Sequence, residues 1–490
     1  MNIYFSDFFK VPPEKLEEHG AFNISLINDL PLFIDPFLLF NSPKPEYQAL
    51  HHEIIKYVSF LRDMAETKNL SPGLIKSWFH FPEVKENWFG YSTIGNNGSG
   101  LAGKFAASLY SNLNTIFQNF GSEEITTSSH LEKLCLIKDG VGKDNISDFT
   151  TNLIKGYLLR YTQEFSKENI SPKFLRTHAV SHTQFNYQTR SWITEHYLLP
   201  TLGKQFILLT PKDILTKDDT WINKNDMVTN FTGISSSIPN EQLRAQLNEY
   251  LARSIPKEAT QKEINSAITA TIRKFPEYID YFIKHKEDNG DGAVKLSDIK
   301  VRETETIFIR NVKKLVEQLS STGDFYKTPK DSFEETLSRV LFLKSVIENN
   351  DGYRIFYVNG EPLKREQDLQ LLFKLTWHAS DYDVNAEVNN GRGPVDYKIS
   401  KGSQDKTLVE FKLASNSKLK QNLQNQVKIY EAANNTTNSI KVVLYFSDTE
   451  LERITKILKE LKISTGKSLI LIDARPGKTS ASNVRDLFSN

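Results

Sequence analysis

Short apolar runs that alternate with amphipathic segments in the last 140 residues constrain the fold of this chain most. Four of these runs have the length and composition of β-strands: VDYKIS, TLVEFKL, KVVLYF and SLILID. Segments with helical spacing of apolar residues lie at EQDLQLLFKLTW, at about 417–433 and at about 448–461. Strands that alternate with helices predict an α/β domain.

Three regions of different character are predicted along the chain. Residues 1–215 are rich in aromatic residues and amphipathic stripes, which indicates a mixed, mostly helical N-terminal domain. Residues 216–350 are charged and periodic, which indicates a helical middle region. Within it, the segment 287–298 (EDNGDGAVKLSD) is predicted to be a polar break between helices. Residues 351–490 form the α/β domain.

The composition is that of a folded protein and excludes several classes. Hydrophobic residues make up 39% and charged residues 25% of the 490 residues, so a disordered or collagen-like chain is excluded. Lys and Arg number 61 against 60 Asp and Glu, a formal net charge of +1. A surface that attracts nucleic acid must therefore be local.

The expected location is the cytoplasm. The single cysteine, Cys135, excludes an intrachain disulfide and a cysteine-ligated zinc site, and it fits a reducing compartment. Asp7 interrupts the N-terminal segment where a secretion signal needs an apolar run. The apolar stretch LPLFIDPFLLF is broken by Asp35 and Pro36 and is too short to cross a bilayer, so no membrane partner is expected.

Charged side chains in two neighbouring strand-like runs suggest a chemical site. Asp396 lies near the start of VDYKIS, and Glu410 and Lys412 are two residues apart in TLVEFKL. Alternate residues of a strand share a face, so Glu410 and Lys412 are predicted to lie on one surface. If the two strands pair, Asp396 reaches the same surface. Charges in such apolar surroundings are rarely buried unless they are paired or bind a metal ion.

Two carboxylates and a lysine suit the binding of Mg²⁺ and the hydrolysis of a phosphodiester. Mg²⁺ takes oxygen ligands, commonly one or two carboxylates with water and substrate phosphate. A bound metal ion lowers the pKa of its water and stabilises the charge of the transition state. Lys412 adds a positive charge beside that water.

These residues resemble the signature of the PD-(D/E)xK nuclease superfamily. Asp396 matches its first acid and Glu410-Phe411-Lys412 its E-x-K motif, while Gln426 and Tyr430 are similar to the Q-x-x-x-Y motif of its RecB-like branches. The resemblance covers about residues 350–480. It implies a restriction-endonuclease-like mixed central sheet flanked by helices, and hydrolysis of DNA that leaves a 5′-phosphate.

The resemblance also implies roles for individual residues. Asp396 and Glu410 would hold Mg²⁺, with Mn²⁺ as a substitute, and Lys412 would orient or activate the attacking water and stabilise the transition state. Gln426 and Tyr430 would position the helix or the substrate strand.

Two further acids have a functional and a structural interpretation. Glu366 resembles the accessory acid on the first core helix of the superfamily, and Glu387 lies in the segment that leads to Asp396, where it is a candidate third metal ligand. For both residues a solvated surface acid is the alternative interpretation.

The expected partner is nucleic acid, with DNA as the predicted class. Residues 391–430 contain eight Lys and Arg but three acids, and phosphate contacts dominate the affinity of proteins for nucleic acid. The N-terminal region is expected to recognise a substrate or a protein trigger, an architecture similar to that of bacterial restriction and anti-phage defence proteins. The alternative is a non-catalytic nucleic-acid-binding or assembly protein that keeps the fold. A homo-oligomer is compatible with either.

Three other motifs match known sites only in part. The segment Gly98–Lys104 has the spacing of a phosphate loop, but Phe105 stands where Ser or Thr would bind Mg²⁺, so a glycine loop that opens a helix is favoured. His178 and His182 lack the glutamate that a zinc protease needs after its first histidine, so polar packing or contact with nucleic acid is favoured over a metal site. The segment 287–298 approximates a calcium loop but departs from that pattern at both ends, so a polar turn is favoured.

Overall fold

The structure is a computed structural model of the 490-residue chain. It describes residues 4–26, 29–66, 70–90, 106, 109–110, 113, 120–137, 141–217, 219–256, 258–311, 331–349, 353, 356–358, 361–362, 366–377, 382–389, 394–402, 405–424 and 438–476.

The chain forms two compact units whose border, between Arg302 and Glu303, falls in the last turn of helix Gly290–Glu305. Each unit has its own buried core. Helix Ser332–Asn349, which the sequence analysis placed in a middle region, belongs to the C-terminal unit. In the described parts of both units, no helix is long and apolar enough to cross a bilayer.

The N-terminal unit is mainly helical. Its described α-helices are Phe5–Phe9, Pro13–His19, Pro36–Phe40, Pro45–Glu66, Pro72–Phe79, Lys133–Ile137, Lys143–Leu153, Lys155–Asn169, Lys224–Thr229, Phe231–Ser237, Glu241–Ser254, Gln261–Lys274, Tyr278–Asp288 and Gly290–Glu305. Strands Leu175–Asn186 and Ser191–Leu202 form a long antiparallel hairpin, extended by the short strand Gln205–Phe206. Strands Phe33–Ile34 and Leu215–Thr216 form a second antiparallel pair.

The break in the apolar stretch LPLFIDPFLLF is the start of a helix. Pro36 occupies the first turn of Pro36–Phe40, where its fixed φ is favourable. Asp35 caps this helix, because its carboxylate accepts a hydrogen bond from Phe37 N at 3.0 Å. It also accepts one from Trp221 N at 2.7 Å. The two residues that make the stretch unsuitable for a membrane therefore anchor it in the core.

The polar break predicted at 287–298 is wrong, because this segment is helical. Helix Tyr278–Asp288 ends at Asn289, and helix Gly290–Glu305 begins at once. The calcium-loop geometry is therefore absent from this segment. The carboxylate of Glu287 accepts hydrogen bonds from three groups of a neighbouring segment, which are Thr127 N, Ser128 N and His130 Nε2. A Cβ at Gly290 would meet the side-chain amide of Asn41, so a larger residue at the start of this helix would displace that side chain.

The C-terminal unit is built on a mixed sheet of five strands in the described residues. They are β1 (Asp383–Asn389), β2 (Pro394–Lys401), β3 (Asp405–Leu413), β4 (Ser439–Tyr445) and β5 (Leu469–Asp473). The order across the sheet is β5-β4-β3-β2-β1. The pairs of β3 with β4 and β4 with β5 are parallel, and the other two are antiparallel. A short separate hairpin joins Tyr357–Val358 and Glu361–Pro362.

Helices lie on both faces of this sheet. The helices are α1 (Ser332–Asn349), α2 (Glu366–Leu375) and α3 (Asp448–Leu461), and residues 419–424 are also helical. Phe411 of β3 packs against Phe373 of α2 with ring centroids 4.7 Å apart. On the opposite face, α3 and residues 419–424 share a buried cluster with Val443 and Tyr445 of β4. Glu410 and Lys412 alternate with Phe411 and therefore leave the sheet on the α3 face.

Candidate functional site

The pairing of β2 with β3 brings Asp396 and Glu410 together. The paired residues run from Lys401 opposite Asp405 to Tyr397 opposite Val409, so Asp396 is one residue past the last pair. There its Oδ2 accepts a hydrogen bond from Phe411 N at 2.6 Å. The side-chain carboxylate of Asp396 therefore continues the hydrogen bonding between β2 and β3 beyond the last backbone pair. This hydrogen bond fixes the position of the carboxylate relative to β3.

The ammonium of Lys412 lies among three carboxylates. Its Nζ is 3.1 Å from Glu366 Oε2, 3.4 Å from Glu410 Oε1 and 3.8 Å from Asp396 Oδ2. It also donates a hydrogen bond to Phe411 O at 3.0 Å. The exposed fractions of these side chains are 23% for Glu366, 9% for Glu410, 13% for Asp396 and 11% for Lys412. The structure thus groups the three residues of the sequence motif in a largely buried site.

Burial and opposite charges act together on the acids of this site. Burial raises the pKa of Asp396 to about 7, although Lys412 and the hydrogen bond from Phe411 N act in the opposite direction. Burial likewise raises the pKa of Glu410, opposed by Lys412 and Lys441. Burial alone would lower the pKa of Lys412, but the surrounding carboxylates outweigh burial and raise it. Lys412 is therefore a permanent cation at neutral pH.

Glu366 belongs to this site and is not a solvated surface acid. It lies at the start of α2, and besides Lys412 it binds two groups beyond the Glu410–Lys412 segment. Asn416 Nδ2 donates to Glu366 Oε1 at 2.7 Å, and Leu413 N donates to the same oxygen at 3.3 Å. These contacts tie the first turn of α2 to the end of β3 and hold the carboxylate beside Lys412.

Lys441 is a neighbour of the site that the sequence analysis missed. It lies directly opposite Glu410 in the parallel pair of β3 and β4. Its Nζ donates to Leu423 O at 2.7 Å, so it links β4 to the helical residues 419–424. Lys441 is a charged residue of the apolar run KVVLYF, just as Glu410 is a charged residue of TLVEFKL. The sequence alone could therefore have identified Lys441 as a candidate.

Several predicted residues lie outside the described part of the chain. Gln426 and Tyr430 fall within 425–437, and the side chain of Glu387, which is in β1, is also outside it. The helical stripe that was predicted to carry Gln426 packs as expected where it is described, since Leu419 and Leu423 are buried. The glycine-rich segment Gly98–Lys104 is outside the described residues as well.

The histidines of the hairpin have a structural environment. His178 Nε2 lies 2.8 Å from Thr201 Oγ1, and the ring of His182 packs against Trp192. These contacts agree with polar packing, one of the two interpretations that the sequence favours for these histidines. At the exit of β5, Arg475 pairs with Asp473 at 2.7 Å.

The donor set at the site fits a Mg²⁺ or Mn²⁺ ion held by two carboxylates. Within the described residues, no group of three or more His, Cys, Asp or Glu side chains is arranged to hold a metal ion. Asp396 and Glu410 nevertheless converge on the same ammonium, and both are buried hard oxygen donors. Mg²⁺ sites in proteins often use one or two carboxylates, with water and substrate phosphate as the other ligands.

Comparisons with known proteins match part of each unit to a family model. Residues 10–223 match the family described as Domain of unknown function (DUF8370), and residues 332–448 match Domain of unknown function (DUF8371). The second match contains Glu366, Asp396, Glu410 and Lys412. No curated protein and no solved structure matches the chain.

Proposed function

We propose that the C-terminal unit is a metal-dependent nuclease of the PD-(D/E)xK type that hydrolyses DNA phosphodiester bonds. The observation that carries this proposal is the position of the Lys412 ammonium within 3.8 Å of both Asp396 and Glu410. The mixed sheet with helices on both faces agrees with the fold that the resemblance implies.

Asp396 and Glu410 would hold Mg²⁺ or Mn²⁺ in this enzyme. When bound, the metal ion would lower the pKa of a coordinated water and stabilise the charge that develops on the phosphate. The hydrogen bond from Phe411 N holds one carboxylate oxygen of Asp396 in place. Burial keeps competing water away from both acids, so that their charges act in a low-dielectric environment.

Lys412 contributes a fixed positive charge and not a proton acceptor. Because the neighbouring carboxylates raise its pKa, it remains an ammonium at neutral pH. An ammonium can donate hydrogen bonds to phosphate oxygens and to an attacking water, but it has no lone pair to take a proton. Its expected role is therefore to orient the water and to stabilise the transition state.

Basic residues near the site support DNA as the substrate. Lys418 and Lys420 are exposed just after β3, where the chain enters the helical residues 419–424. Lys420 pairs with Glu460 at 2.7 Å, and a surface ion pair of this kind is weak enough to exchange for phosphate. We propose that the N-terminal unit recognises a substrate or trigger, as in restriction and anti-phage defence.

Cleavage of supercoiled plasmid by the full chain and by Asp396→Asn tests the proposal. We expect Mg²⁺-dependent cleavage that EDTA abolishes, and a rate for Asp396→Asn that is lower by about 100-fold or more, because one metal ligand loses its charge. Asp448→Asn is the matched control, since Asp448 is exposed and pairs with Arg475. Its rate should equal that of the unchanged chain.

Two results would contradict the proposal. Wild-type cleavage by Asp396→Asn would remove Asp396 from the site. Absence of cleavage by the unchanged chain with Mg²⁺ and Mn²⁺, on plasmid, linear duplex and single strands, would favour the non-catalytic nucleic-acid-binding alternative.

A further inference from the structure

A cavity in the N-terminal unit has the dimensions of a small-molecule site. Its volume is about 550 Å³, within the range of about 300–1,000 Å³ that is usual for ligand pockets. It lies between helices Pro45–Glu66 and Lys155–Asn169, and the segment 211–213 closes one side. The proposed nuclease does not use it.

Three tyrosine rings form the walls of this cavity. Tyr157 and Tyr161 are one turn apart on the same helix, with nearly parallel rings at 22° and centroids 6.0 Å apart. Tyr47 stands almost perpendicular to Tyr157, at 84° and also 6.0 Å. The face of an aromatic ring carries partial negative charge, so several such faces favour a cation.

The protein itself already places an ammonium on one of these rings. Lys44 Nζ lies 4.6 Å from the centroid of Tyr47. The same ammonium pairs with Asp213 at 2.6 Å, and Tyr47 donates a hydrogen bond to Asp213 at 2.7 Å. The cavity therefore combines a cation, an aromatic face and a carboxylate within the protein, which shows the kind of ligand group that its walls accept.

The other cations of the lining are also engaged by protein groups. Lys212 forms an ion pair with Glu17, which lies outside the lining. Arg160 acts electrostatically on Glu195 and Tyr197, which also lie outside it. Burial lowers the pKa of His19, so this histidine is neutral at pH 7 and adds no positive charge. An anionic ligand bound through Lys44 or Lys212 would have to displace the ion pairs that these two lysines form with Asp213 and Glu17.

Two acids of the lining form no ion pair among the residues that the structure describes. They are Glu46 and Glu164, which are exposed at the mouth of the cavity. Both act on Tyr157: burial raises its pKa to about 12, and the charges of Glu46, Asp213 and Glu164 contribute. The charges of Glu46 and Glu164 therefore act on Tyr157, and both carboxylates are exposed.

We propose that this cavity binds a small organic cation, with its ammonium or guanidinium group over Tyr157 and Tyr161 and between Glu46 and Glu164. The aromatic faces and the two carboxylates then act on the same charge. The remaining polar groups of the lining set the orientation of the rest of the ligand.

Isothermal titration calorimetry of the full chain tests this assignment with defined probes. Choline, agmatine and spermidine represent quaternary ammonium, guanidinium and polyamine cations, and AMP and inorganic phosphate represent anions. We expect saturable binding of at least one cation and of neither anion. The double variant Glu46→Gln/Glu164→Gln should bind that cation roughly tenfold more weakly or worse.

Glu53→Gln/Glu168→Gln is the matched control, because these acids lie on the same two helices but outside the lining. It should retain the affinity of the unchanged chain. The proposal is overturned if none of the three cations binds, if both double variants lose affinity equally, or if AMP or phosphate binds more tightly than every cation. All four acids are exposed, so both variants are expected to fold.

Discussion

At the scale of single residues, the Lys412 ammonium allows several acids to lie close together out of water. Burial raises the pKa values of Asp396 and Glu410, and each would tend to take up a proton if it stood alone. Lys412 opposes this shift at both acids. The same residue therefore favours the charged forms of both acids, against the effect of burial, and supplies positive charge next to the position expected for the phosphate.

Glu366→Gln separates a positioning role of Glu366 from the metal-binding role that the resemblance suggested. Because Glu366 binds Lys412, Asn416 and the backbone of β3, we expect cleavage to slow by about tenfold as Lys412 loses a charged partner. The Mg²⁺ concentration for half-maximal cleavage should not change. Titration of the cleavage rate with Mg²⁺ measures both quantities.

The matched variant is Asn416→Ala, which removes one donor to Glu366 but leaves the carboxylate and its charge. It should slow cleavage less than Glu366→Gln. A large rise in the Mg²⁺ requirement for Glu366→Gln would instead identify Glu366 as a metal ligand.

The sequence is sufficient to identify those site residues that are charged and lie within otherwise apolar strands. Asp396, Glu410 and Lys412 were predicted to share a surface because two of them alternate in TLVEFKL, and the structure brings all three together. The position of Glu366 beside Lys412 depends on how α2 packs against the sheet, so its two interpretations could not be separated. Lys441 is also a charged residue in an apolar strand, but it is not part of a known sequence motif.

At the scale of elements, the sequence predicts the helices and strands that have regularly spaced apolar residues. It does not predict the elements that are rich in polar residues. The helix expected at about 448–461 is α3, and the four strand-like runs are β2 to β5. Strand β1 was missed because Asp383, Asn385 and Asn389 are unfavourable in strands, and its pairing with β2 overrides that preference. The glycines and acids of the segment 287–298 predict a turn, whereas the structure has a helix on each side of Asn289 there.

Arg339 joins α1 to the segment that follows α2 and gives a prediction at this scale. Arg339 is 2% exposed, pairs with Glu335 of the same helix at 2.6 Å and lies 4.4 Å from the ring centroid of Trp377, two residues after the end of α2. Arg339→Leu leaves a buried, unpaired carboxylate, so we expect the free energy of unfolding to fall by about 3–5 kcal/mol. Urea denaturation of the full chain measures the change.

The double variant Glu335→Leu/Arg339→Leu is the control for this prediction. It removes both charges, so it should be more stable than Arg339→Leu alone, although it still lacks the hydrogen bond that Arg339 donates to Thr376 O. Equal or lower stability of the double variant would show that the ion pair is not the reason for the loss.

At the scale of the whole molecule, the two family matches fall in different compact units. The described residues of 10–223 lie in one unit and those of 332–448 in the other. The change of composition near residue 351 suggested a domain border there, but α1 packs against the sheet and moves the observed border to 302/303. The composition changes where the strands of the sheet begin. The border between the units lies earlier, because α1 belongs to the sheet although its sequence resembles that of the preceding helices. The candidate catalytic site and the tyrosine-lined cavity thus lie in different units.

The cleavage rate of Lys412→Ala with Mg²⁺ on a duplex substrate, relative to the unchanged full chain, tests the central claim most directly. Lys467→Ala is the matched control, because Lys467 is an exposed lysine of the same unit that pairs with Glu334. A catalytic ammonium at Lys412 predicts a loss of about 100-fold or more for Lys412→Ala and an unchanged rate for Lys467→Ala. Equal rates for Lys412→Ala and the unchanged chain would contradict the assignment of the site.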